Sequence, residues 1–162
     1  MKKYLMILAL LLVPTLDAEA GTFLRYGIGV GHSADYSSTS TKAFSLGYTD
    51  SLLGPIIYQY EGGYWGDSSG HGRRGSGFAN GGLGVEANPG VFILRTVWAV
   101  GGITTPDTML GGRFQFNHDF LIGVKGPNEA IIGINIKHIS SAGLEKPNLG
   151  RDLVMFHVEL PF

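Results

Sequence analysis

Cysteine is absent from this sequence, which excludes disulfide frameworks, thiolate metal sites and cysteine nucleophiles together. Charge is scarce as well. Charged residues make up 15% of the chain, against roughly 25% in average soluble proteins, so either the core is large or part of the surface does not face water. A formal net charge of −1 supplies no electrostatic footprint for nucleic acid as a partner. Helical periodicity is missing too: apolar residues recur by twos along most of the chain and rarely by threes or fours. A chain of 162 residues suits a single domain.

Long apolar runs are missing, with one exception. Lys2 and Lys3 precede an unbroken apolar stretch over residues 4–13, and Ala18-Glu19-Ala20 follows it. A positive start, a core of about ten apolar residues and a small-x-small site are the parts of a secretory leader, and the core is about half the length that a membrane-spanning helix needs. Residues 1–20 are therefore expected to be a signal peptide and residues 21–162 the mature domain.

What is plentiful is glycine, with 26 residues and no triplet period, set among residues that alternate in character. Leu24, Tyr26 and Ile28 oppose Arg25, Gly27 and Gly29. Phe44, Leu46 and Tyr48 oppose Ser45 and Gly47. Ile132, Ile134 and Ile136 oppose Gly133, Asn135 and Lys137, and Val154, Phe156, Val158 and Leu160 oppose His157 and Glu159. Comparable stretches at 56–64, 79–87, 92–100 and 114–124 bring the expectation to eight strands. The connections alternate as well: 50–55, 88–90 and 126–128 are short, whereas 32–41, 66–77, 101–108 and 141–151 are longer and polar. Short turns on one side and long loops on the other predict an all-β, antiparallel, up-and-down transmembrane β-barrel, with the short turns periplasmic and the long loops extracellular.

Period-two patterning also suits a soluble, lipocalin-like barrel, whose apolar face would point inward. Here one face collects Phe, Tyr, Trp, Ile, Leu and Val, while the other carries Arg25, Glu61, Glu86, Arg95, Arg113, Gln115, Asn117, Asn135, Lys137 and Glu159 among glycines. Such a polar set can fill a narrow lumen as a hydrogen-bonded plug. Three features favour the membrane arrangement, in the outer membrane of a Gram-negative cell. They are the leader, the Tyr and Trp residues near strand ends, where interfacial girdles sit, and the terminal aromatic Phe162.

Counting by twos beyond Ile136 reaches His138 and Ser140, and counting back from Leu160 through Val154 reaches Asp152. A histidine, a serine and an aspartate thus fall on the bilayer side of two adjacent strands, near their loop ends, where polar groups are costly without a purpose. These residue types support acyl transfer. A hydroxyl becomes a nucleophile when an imidazole takes its proton, and a carboxylate on the other ring nitrogen holds the tautomer. The His138 and Ser140 Cα atoms should stand roughly 6.5–7 Å apart at ~3.3 Å rise per residue, a gap that side chains can close. The same residues also suit ordinary headgroup contacts at a barrel rim.

Residues 138–152 read His-Ile-Ser-Ser-Ala-Gly-Leu-Glu-Lys-Pro-Asn-Leu-Gly-Arg-Asp. This segment resembles the C-terminal signature of the lipid A 3-O-deacylase (PagL-type) family, His-x-Ser-Asn-Ala-Gly followed by Pro-Asn-x-Gly-x-Glu at the same spacing. The resemblance implies an eight-stranded outer-membrane barrel that hydrolyses the ester at the 3-position of lipid A. It would act through a serine, a histidine and an acid, with lipopolysaccharide as substrate and no cofactor or metal. It makes Ser140 the nucleophile, His138 the base and Asp152 the acid, with Asn148 and the Gly143 backbone N–H as oxyanion donors. The sequence departs from the signature in two places: Asp152 stands where the family has Glu, and Ser141 where it has Asn. Glu145 is a rival acid, out of place in the signature. A phospholipase using the same three residues and a non-enzymatic, surface-binding barrel are the alternatives, and a homodimer is compatible with each.

The remaining histidines, His32, His71, His118 and His157, show no metal-ligand spacing and read as loop and lumen residues. Residues 70–77 are glycine-rich and include Arg73 and Arg74, but lack the Gly-Lys-Ser/Thr ending of a phosphate loop. In an extracellular loop these arginines suit either anionic sugar phosphates or plain solvation.

Overall fold

The structure, a computed structural model, describes residues 20–31, 41–67, 75–106 and 110–161. The expected leader (apart from Ala20), His32, His71, Arg73, Arg74 and Phe162 lie outside the described residues. Eight strands follow in order: β1 (Gly21–Gly31), β2 (Thr41–Leu53), β3 (Ile56–Trp65), β4 (Ser76–Ala87), β5 (Phe92–Ile103), β6 (Phe114–Lys125), β7 (Ile131–Ser140) and β8 (Arg151–Pro161). Each pairs antiparallel with its chain neighbour, and β1 also pairs with β8, so the sheet closes on itself. Closure removes free edges, which is what lets a sheet enter hydrocarbon with its backbone satisfied. Among the described residues no helix is long and apolar enough to cross a membrane.

The links 54–55, 88–91 and 126–130 close one end of the barrel; the strand ends Gly31, Thr41, Trp65, Ser76, Ile103 and Phe114 and the 141–150 loop lie at the other. The alternation of short and long connections is as expected, although β5 runs on to Ile103 and β6 begins only at Phe114, so the loop expected at 101–108 falls at 104–113 instead.

Burial follows residue parity along the strands. Leu24, Phe44, Leu46, Tyr60, Leu83, Trp98, Ile134 and Phe156 are all exposed on the outer wall. An apolar belt of this extent is stable against hydrocarbon rather than water, which rules out the soluble alternative. At the short-turn end Tyr48 and Tyr58 both donate their hydroxyls to Asp50 Oδ2 at 3.0 Å, as interfacial tyrosines do where one end is apolar and the other wet.

Nine of the ten polar residues expected in the lumen are buried there. Arg113 is the exception: it stands one residue before β6, at the rim, and is exposed. Trp65 departs from expectation in the other direction. Its place at a strand end suggested a girdle, but parity from Ile57 through Gln59 and Glu61 turns it inward. It is fully buried, stacked on Phe78 at 5.4 Å, with the Arg151 guanidinium 5.1 Å from its ring. With Ala43, Ile103, Leu110, Ile139, Leu153 and Met155 it forms an apolar cluster beneath the long loops. The lumen is therefore layered, apolar under the loops and charged below.

In the charged layer two cations meet two anions. Arg25 Nη1 lies 3.2 Å from both Glu61 Oε1 and Asp119 Oδ1, while Lys137 Nζ lies 2.7 Å from Glu61 Oε2 and 2.6 Å from Asp119 Oδ2. Arg95 likewise sits between Glu86 (2.5 Å) and Glu159 (2.7 Å). His157 joins the two groups: its Nδ1 accepts from Arg25 Nε at 3.0 Å, which leaves Nε2 to donate to Glu159 Oε2, also at 3.0 Å. Desolvating such ions costs several kcal/mol each, recovered only when every charge is paired. With Arg95 Nη1 also donating to Thr49 Oγ1 on β2 at 3.3 Å, this pairing ties down the lumen side of all eight strands and thereby determines which residues are left outside.

Candidate active site

On β7, Lys137 is held in the ion network and Ile139 in the apolar cluster, both without solvent exposure. Their neighbours His138 and Ser140 must then face outward, because successive side chains on a strand point to opposite sides. On β8, Arg151 and Leu153 point in and leave Asp152 outside. The register pairs His138 directly with Asp152. His138 Nδ1 and Asp152 Oδ1 are 2.7 Å apart, with the side chains 42% and 28% exposed, a distance typical of a charge-assisted hydrogen bond. A neutral imidazole that donates Nδ1–H to the Asp152 carboxylate keeps its lone pair on Nε2.

Ser140 lies one step further toward the long loops on the same face. With His138, Trp98, Val100, Phe116 and His118 it lines a cleft of about 250 Å³ on the outer wall. Larger clefts of about 570 and 550 Å³ flank Tyr60 on the β1–β5 side of the wall, and neither combines a hydroxyl with an imidazole and a carboxylate. Among the described residues no three His, Asp or Glu side chains converge as a metal-ligand set.

The 141–150 loop folds back over the site. Ser141 O accepts from Leu144 N at 3.0 Å, closing a turn whose central residues Ala142 (φ 51) and Gly143 (φ 81) are both left-handed, as a type I′ turn requires. Ser141 itself is buried; its N–H donates to Asn148 Oδ1 at 2.8 Å and its Oγ to Glu145 O at 3.1 Å. The serine that replaces the signature Asn is thus a staple for the loop. The bond to Ser141 places Asn148 beside the residue that follows the serine. Gly143 sits at the exposed tip of the turn. The Glu145 carboxylate packs over Gly112 in the 104–113 loop, where a Cβ would lie 2.1 Å from it, and it is Asp152 that meets His138.

Two features had not been assigned from the sequence. Gly150 has φ +75, and a Cβ there would lie 2.8 Å from His138 Cε1 and 3.3 Å from Nε2. The Gly150 backbone therefore packs on the imidazole where no other residue fits. Its glycine stood in the signature, but nothing in the sequence says what it touches. The second is His118, which had been grouped with loop and lumen histidines. It lies on the outer wall, paired in register with His138 on one side and Trp98 on the other, because parity from Phe116 and Phe120 carries it outward. Its Nε2 is 2.9 Å from Thr96 Oγ1, and its ring stacks on Trp98 with centroids 5.2 Å apart and planes at 8°. His157 is a lumen residue, as expected.

The sequence pattern of the family described as lipid A 3-O-deacylase (PagL) matches residues 57–161. Among solved structures, the chain is similar to the crystal structure of the outer membrane enzyme PagL, with a TM-score of 0.65 and 16% identity over 88% of this chain and 99% of that one. It is also similar to the backbone structure of the Yersinia pestis outer membrane protein Ail in a phospholipid bilayer nanodisc, with a TM-score of 0.50 and 7% identity over 88% and 100% of the two chains. At these identities the structural likeness bears on the fold. None of the curated proteins matches the chain.

Proposed function

The chain belongs to the lipid A 3-O-deacylase (PagL) family, whose pattern takes in most of its length, and from that premise we propose that Ser140, His138 and Asp152 together hydrolyse the ester at the 3-position of lipid A in the outer membrane. The observation that carries this reading is the 2.7 Å His138–Asp152 contact on the outer wall, with Ser140 in the same cleft. The lipid ester reaches the site by lateral diffusion, its acyl chain lying along the apolar belt.

Ser140 Oγ attacks the ester carbonyl while His138 Nε2 takes its proton; His138 and Ser140 share a strand face, so side-chain rotation suffices to bring the two atoms together. Asp152 holds Nδ1–H and stabilises the imidazolium that forms. The tetrahedral oxyanion needs a donor. The donors proposed for this role are the amide nitrogen of Asn148, whose oxygen accepts from Ser141 N–H, and the Gly143 N–H. Collapse expels the sugar 3-oxygen, which takes the proton from His138, and leaves an acyl-Ser140 ester. Water, deprotonated by His138, then releases the fatty acid. Asp152, one methylene shorter than the family Glu, reaches His138 because the strand register places the two residues directly opposite.

Mass spectrometry of lipid A from Gram-negative cells expressing the chain tests the reading. Wild type should remove one hydroxyacyl mass and Ser140→Ala none; an unchanged lipid A spectrum with new lysophospholipid would instead point to a phospholipase, and no change in either to a binding barrel. We further take residues 1–20 as a cleaved leader, so the intact mass of the purified protein should correspond to a chain starting at Gly21. A mature mass that retains residues 1–20 would overturn that assignment.

A further inference from the structure

Resting on the deacylase reading, we propose that His118 is a specificity residue, which hydrogen-bonds a hydroxyl carried two carbons beyond the ester carbonyl of the acyl chain under attack. His118 stands between the exposed Phe116 and Phe120 on the outer wall, a place where an imidazole is costly unless something meets it. Its orientation is set by two contacts, Nε2 with Thr96 Oγ1 at 2.9 Å and the flat stack on Trp98. Nδ1 has no partner among the described residues, and the ring lines the cleft that holds Ser140.

Position selects the group that Nδ1 would meet. Ser140 is opposite Phe116, and His118 is two residues further from the long loops, which makes Ser140 and His118 diagonal neighbours with Cα atoms roughly 7–8 Å apart. An acyl chain whose carbonyl sits on Ser140 Oγ runs away from the loops along the apolar wall. It passes His118 within its first few carbons, once the reach of both side chains is taken from that separation. Chemistry narrows the choice further. A hydroxyl both donates and accepts, so it satisfies Nδ1 whichever tautomer the Thr96 bond selects. A chain without the hydroxyl leaves a ring nitrogen unpaired in a water-poor cleft, the situation in which polar sites discriminate best.

The test is the ratio of kcat/KM for two glucosamine 3-O-esters of equal chain length, one 3-hydroxyacyl and one unsubstituted, measured with the purified barrel in mixed micelles. Wild type should prefer the hydroxyacyl ester about tenfold, the scale of one hydrogen bond. His118→Phe keeps a ring against Trp98 and should bring the ratio close to one, and His118→Gln should restore part of it. Because both esters are read on the same protein sample, partial misfolding cancels from the ratio. Cleavage of both esters with the same ratio in wild type and His118→Phe overturns the role of His118 and leaves the deacylase reading standing. Failure of wild type to cleave either ester removes the deacylase reading and this proposal with it.

Discussion

Two histidines of this barrel each meet a carboxylate, His157 in the lumen and His138 on the outer wall, and they differ in what else surrounds them. His157 is fully buried and stacked on Phe23 at 5.3 Å, with both ring nitrogens committed, one to Arg25 and one to Glu159. No proton can leave or enter it without breaking a desolvated network. His138 gives Nδ1 to Asp152 at 2.7 Å, and its side chain is 42% exposed on a cleft shared with a serine hydroxyl. A His–carboxylate contact alone therefore says little about chemistry; access to the outer wall and a hydroxyl in the same cleft separate the proposed reactive pair from the structural one.

The sharpest test of that contrast exchanges the two effects. His138→Ala should lower the rate of fatty-acid release by about 10⁶-fold, the scale seen when a triad histidine is removed, with thermal unfolding of the barrel unchanged. His157→Phe should do the reverse, lowering stability by about 1–3 kcal/mol because Arg25 and Glu159 each lose a buried partner, while the folded fraction turns over at the wild-type rate. Loss of turnover in folded His157→Phe would erase the distinction. Next in size is Gly150→Ala. The new Cβ must displace the imidazole, and a shift on the order of 1 Å costs about 100-fold in rate. Gly90→Ala at the opposite end has a similar φ of +71 but nothing within 4 Å, so it bears the backbone strain alone and should keep full activity per folded molecule. The smallest effect belongs to Glu145→Ala. Its carboxylate lies over Gly112 rather than against His138, so a kcat equal to wild type is expected, and a large fall would return Glu145 as the acid.

Much of the candidate site was legible because its residues continue strong alternating runs. Ile132, Ile134 and Ile136 carry the phase to His138 and Ser140, and Val158, Phe156 and Val154 carry it back to Asp152. The same parity on β6 puts His118 outside with Phe116 and Phe120, but a lone polar residue interrupts the apolar run and hides its phase. Trp65 misled for the opposite reason. A tryptophan at a strand end fits an interfacial girdle, but the phase set by Gln59 and Glu61 carries it into the lumen, where it packs against Phe78 and Arg151. The fit of Gly150 against an imidazole twelve residues away, or of Glu145 over Gly112, leaves no trace in spacing, since loop paths are not periodic.

By itself, then, the sequence determined which side of the wall most strand residues face, because side-chain direction along a strand reverses at every residue whatever the neighbouring strands do. It also determined the order of short and long connections, and with it the meander. Register between strands was decided only in three dimensions. Closing β1 onto β8, with a shift in pairing between Ser51 and Leu53, staggers all eight strands together, and that stagger sets His138 opposite Asp152 on one flank and His118 on the other. Closure is a property of the whole ring of hydrogen bonds, so no single stretch of sequence contains it.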